Sequence, residues 1–63
     1  MYQVFTQYIS QGMSFKPHVI ESTRSKEDIE VYLKSLSEIS TVRRVEIKYN
    51  DKRHSAVVIV TEV

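Results

Sequence analysis

Groups that could hold a proton, bind a metal or act as a nucleophile are few in this chain. His18 and His54 are the only imidazoles, and neither has another ligand type beside it at metal-binding spacing. The absence of cysteine removes thiolate nucleophiles, thiolate metal sites and disulfides together. Asp51, His54 and Ser55 supply the residue types of a hydrolytic triad. They are close neighbours in sequence, whereas such a triad normally joins separate elements so that one imidazole reaches both nucleophile and acid. Gly12 is the only glycine, so no glycine-rich phosphate loop can form. Chemistry that uses an N-terminal proline is also unavailable, because Met1 is followed by Tyr2 and Pro17 is internal. The carboxylates Glu27, Asp28 and Glu30 fall where acids complement a helix N-terminus. These residues predict a protein that is not an enzyme and carries no metal or cofactor.

A second kind of chemistry is phosphate recognition. Arg43, Arg44, Lys48, Lys52 and Arg53, with His54, cluster in residues 43–54. A basic two-stranded ribbon can enter a groove of nucleic acid, and phosphate contacts of this kind are salt-sensitive. Tyr2, Tyr8, Phe15 and Tyr49 are candidates for stacking on single-stranded bases. Against this stand a net charge of only +1, from nine basic and eight acidic residues, and the lack of an aromatic RNA-binding motif. Glu46 lies between Arg44 and Lys48 and is placed to neutralise them. Nucleic-acid binding by the basic hairpin is therefore the alternative reading.

The elements that would carry these residues follow from hydrophobic periodicity. Residues 2–9 are rich in aromatic and β-branched side chains, with Tyr2, Val4, Thr6 and Tyr8 on one face and Phe5 and Ile9 on the other. Residues 10–14 read as a hairpin loop around Gly12, and residues 15–21 as a second strand whose Pro17 suits an edge or a bulge. Ser25 has the place of a helix N-cap, accepting from the amide of Asp28. Ile29, Leu33 and Leu36 form one apolar stripe flanked by Tyr32, while Glu30, Lys34, Ser37 and Glu38 form the solvated side. Val45, Ile47 and Tyr49 alternate with Arg44, Glu46 and Lys48 in the cleanest one-sided strand. Residues 50–53 make a polar turn, and the last strand runs over residues 55–63. The order is ββαββ: one α+β domain over residues 1–63, a four-stranded, mainly antiparallel sheet with one helix packed on one face.

The last strand holds the tension in this design. Ala56, Val58 and Val60 point one way, Val57 and Ile59 the other, so both faces are apolar. A single short helix covers only one side of a sheet. The unused set is then an exposed aliphatic patch of the kind that marks an interaction surface. A chain of 63 residues with no disulfide also gains most from oligomerisation as a staple. We therefore expect a homodimer and a non-catalytic, protein-binding role of inhibitor or adaptor type. Val57, Ile59, Met13 and Phe15 are the expected interface residues. The last two stand in an otherwise polar loop, where methionine adapts to irregular surfaces and an aromatic supplies contact area. The longest apolar run is five residues, too short to cross a membrane as a helix. Cytoplasmic location is expected, and the size suits an accessory or phage-borne regulator.

Overall fold

A computed structural model describes residues 1–10 and 18–63. Strand β1 spans Tyr2–Ser10, β2 His18–Arg24, helix α1 Lys26–Ser37, β3 Val42–Asn50 and β4 Ser55–Glu62. The fold is α+β in ββαββ order, with one four-stranded sheet ordered β2-β1-β4-β3. Each sequential pair is an antiparallel hairpin, and the two hairpins meet through β1 and β4, which are parallel. The helix makes this possible by carrying the chain from one sheet edge, β2, to the other, β3. β4 is therefore a central strand, and a central strand is where an apolar run such as Ala56–Val60 belongs.

Alternation along the strands sorts the sheet into two faces. Val4 and Thr6 of β1 and Ala56, Val58 and Val60 of β4 are buried with Ile29 and Leu36 of α1. Tyr2, Tyr8, Tyr32, Leu33, Val42, Val45 and Ile47 pack around that nucleus. Burying each large aliphatic side chain contributes about 1.5–3 kcal/mol. Of the two inward sets open to β4, the helix takes Ala56, Val58 and Val60. Val42 and Val45 are three residues apart yet both face inward, because the register shifts between Val42 and Arg44. Arg43 is the extra residue of that bulge.

Among the described residues Thr6 is the one fully buried polar side chain, and its hydroxyl meets the Tyr32 hydroxyl at 2.9 Å. Satisfying a buried hydroxyl avoids a penalty of about 1–3 kcal/mol. The Arg24 guanidinium lies 3.9 Å over the Tyr32 ring and closes this side of the core. Tyr8 belongs to the same network: burial, then its hydrogen bond with Tyr32, raises its hydroxyl pKa above the usual 10.0, with the charges of Tyr32 and Glu62 adding to it.

The helix begins as its sequence predicts, with the Ser25 side chain accepting from the Asp28 amide at 3.2 Å. β2 is described over His18–Arg24, so it takes in the expected strand's residues 18–21 and continues past the expected end at Glu21, while residues 15–17 lie outside the described residues. Its far end follows the ladder with β1, which pairs Tyr2 with Arg24. An edge strand ending Glu21-Ser22-Thr23-Arg24 has no apolar alternation to announce that pairing. The expected interface residues Met13 and Phe15, and Pro17 with them, lie outside the described residues.

Candidate interaction face

The sheet face turned away from α1 is built in rows that run across the strands. Glu21 of β2, Phe5 of β1, Val57 of β4 and Lys48 of β3 are successive partners in one row. Val19, Gln7, Ile59 and Glu46 form the next, and Ile9, Thr61 and Arg44 form a third. Phe5, Val57 and Ile59 are half-buried. Val19 is 49% and Ile9 38% exposed. Among the described residues no element lies across this face. The result is an apolar centre with a charged stripe along β3 and an acid on β2.

The charges on this face are local and solvated. Arg44 and Glu46 form an ion pair at 2.5 Å with both side chains well exposed. Pairs of this kind contribute about 0–1 kcal/mol. Lys48 has no ion-pair partner among the described residues. The Gln3 side-chain amide donates to the Glu21 carboxylate, holding that acid on the same face.

The other residues singled out by sequence are dispersed. Arg43 stands at the bulge that opens β3, while Lys52 and Arg53 are exposed in the turn beyond its far end. Strand rise separates those two ends by roughly 25 Å. The basic set thus follows the length of the hairpin and is not gathered into one patch. Tyr2, Tyr8 and Tyr49 stand on the helix side of the sheet, opposite to Arg44 and Lys48. The expected stacking platform is not assembled, since Phe5 is the described aromatic that shares a face with the basic stripe.

The turn after β3 gathers Tyr2, Tyr49, Asp51 and His54, but in a structural arrangement. Asn50 accepts the Arg53 amide through both its carbonyl and its side chain, each at 3.3 Å. His54 has φ 49°, the left-handed conformation that closes the loop. Its carbonyl then accepts from the Gln3 amide at 2.9 Å, which starts the parallel ladder. The Asp51 carboxylate accepts from the Tyr2 hydroxyl at 3.0 Å. That hydrogen bond is the main cause of a raised Tyr2 pKa, followed by desolvation and the charges of Asp51 and Tyr49. Asp51 is thus engaged by Tyr2, and no hydrogen bond links His54 to Asp51 or Ser55 among the described residues. The paper triad of Asp51, His54 and Ser55 is not formed. No group of three His, Asp or Glu side chains able to hold a metal ion occurs among the described residues.

One concavity went unread in the sequence. A groove of about 360 Å³ lies between Leu33, Lys34 and Ser37 of α1 and Val45 and Ile47 of β3. It exists because a single helix does not reach over the outer edge of β3. Lys34 is its one ionisable lining residue, so it holds no acid–base pair.

No family model matches this chain, and neither a curated protein nor a solved structure matches it. No helix among the described residues is long and apolar enough to cross a membrane.

Proposed function

We propose that this protein is a small, non-catalytic binding module that acts by occupying a protein surface, as an inhibitor or adaptor does. The observation that carries the reading is the uncovered sheet face, with Phe5, Val57 and Ile59 at its centre and Val19 and Ile9 beside them. An apolar centre framed by charge is the usual anatomy of a protein-binding patch. Burying Phe5 and the two β4 aliphatics would supply the affinity, and the flanking charges would set register. Placement in the cytoplasm forms part of the same proposal and is tested by cell fractionation.

The test is substitution at the centre of the face. Val57→Glu and Ile59→Glu should each abolish partner capture by the full chain. Each should leave the melting temperature within about 8 °C, the shift that roughly 1 kcal/mol produces in so small a domain. Capture that survives both substitutions rejects the face as the binding site. The nucleic-acid alternative has less support, because the three tyrosines lie across the sheet from Arg44 and Lys48 and because Glu46 engages Arg44. It requires a salt-dependent gel shift that disappears when Arg44→Glu and Arg53→Glu are combined.

A further inference from the structure

We infer that the occupant of the outer face is a second copy of this chain, related by a two-fold axis parallel to the strands. This rests on the reading of that face as a protein-binding surface and names its partner. The decisive feature is the row Glu21, Phe5, Val57, Lys48. It has an acid at one edge of the sheet, a base at the other, and two apolar side chains between. Within one molecule the ends of this row are three strand spacings, about 14 Å, apart and cannot pair. Neither Glu21 nor Lys48 has an oppositely charged partner among the described residues.

A two-fold axis that lies between β1 and β4 and runs along them exchanges the two halves of the sheet and leaves every row at its own height. Lys48 of each copy then stands over the partner's Glu21, and Phe5 over the partner's Val57. Both contacts occur twice, as an isologous interface requires. In the next row Ile59 meets the partner's Gln7, and Glu46, already held by Arg44, meets the partner's Val19. The other in-plane axis, perpendicular to the strands, keeps β3 over β3 and β2 over β2. It opposes Lys48 to the partner's Lys48 or Arg44, or, with the axis between rows, to the partner's Glu46, which Arg44 already holds, and in every register it leaves Glu21 without a base. Charge complementarity therefore selects the strand-parallel axis, an aligned packing of two sheets about 10 Å apart.

The area points to a weak dimer. Four strands about 4.8 Å apart, each presenting some 20 Å, give a plan area on the order of 400 Å² per copy before side-chain relief is counted. The two copies together then bury about 800 Å² in plan, the range of weak and transient contacts, and dissociation at tens to hundreds of micromolar is expected.

Sedimentation equilibrium of the full chain, from about 5 to about 500 µM, is the measurement. The unaltered protein should dimerise within that range. Lys48→Glu and Glu21→Lys, each at an exposed site, should separately weaken association about tenfold, since each places like charges together twice. Combined, they restore opposite charges and should return the affinity to within about threefold of the original. Denaturant midpoints of the three variants verify that they are folded. A protein that stays monomeric at the top concentration overturns the inference, and so does a double variant as weak as the single ones. The underlying reading separates from this one through Val57→Glu. A monomer that captures a different protein, and loses it on that substitution, leaves the binding face standing without the dimer. A dimer unmoved by Val57→Glu removes both.

Discussion

Val57 and Val58 are adjacent and chemically identical, yet they belong to different worlds. Val58 is fully buried beneath α1, whereas Val57 is half-buried and, among the described residues, has no element lying across it. The contrast extends to whole faces. The helix side unites Val4, Ile29, Val58 and Val60 into one buried cluster, while Phe5, Val57 and Ile59 form a patch of similar chemistry on which no described element packs. Residue type does not separate the two faces. What separates them is the supply of covering elements, which among the described residues is one helix.

The sharpest way to break that comparison is to remove the same side chain from both sides. Ile29→Ala opens a cavity in the core and should cost about 2–5 kcal/mol. Ile59→Ala, on the open face, should cost about 1 kcal/mol or less in the monomer. Urea titration at a concentration below self-association measures both. Equal losses would mean that the outer face is as well packed as the inner one. Next in size is Tyr32→Phe, which leaves the buried Thr6 hydroxyl without its partner and should cost about 1–3 kcal/mol. Adding Thr6→Val should recover most of that loss, and failure to do so would show that Tyr32 matters through its ring and not its hydroxyl.

A smaller effect distinguishes the faces by pH. The Tyr8 hydroxyl on the helix side has its pKa raised, first by burial and then by Tyr32. A group whose folded pKa exceeds its unfolded value contributes stability that is fully present below the unfolded pKa, about 10, and is lost as pH rises through the folded value. The urea midpoint should therefore fall above about pH 10, and Tyr8→Phe should reduce the slope of that fall. An unchanged slope would assign the alkaline loss to other groups. Smallest of all is Arg44→Ala on the outer face. It removes a solvated ion pair and should alter monomer stability by less than about 0.5 kcal/mol, again by urea titration.

Much of the architecture was legible because the periodicities are strong. Val45, Ile47 and Tyr49 set against Arg44, Glu46 and Lys48 declare a one-sided strand, and Ser25 with Ile29, Leu33 and Leu36 declares a capped amphipathic helix. Ala56 to Val60 declared a two-faced strand but could not reveal which face the helix takes, since both sets are aliphatic. β2 runs on to Arg24, past its expected end at Glu21, because an edge strand is extended by its ladder and its polar end carries no alternation. The bulge at Arg43 had no sequence signature, so the inward placement of Val42 went unread. For the candidate site, Val57 and Ile59 were read from their alternation. Phe5, Glu21 and Lys48 could join them in one row only after the parallel pairing of β1 with β4 fixed the register. Charge counting alone grouped Arg43 with Lys52 and Arg53, which the strand then holds far apart.

That parallel pairing also governs how the parts of the molecule depend on one another. His54 and Ser55 pair with Gln3, so the middle of the sheet closes through contacts between stretches far apart in sequence. An isolated two-stranded ribbon is marginal in water, so each hairpin leans on the other for its stability, and the β1–β4 ladder is the seam through which that support passes.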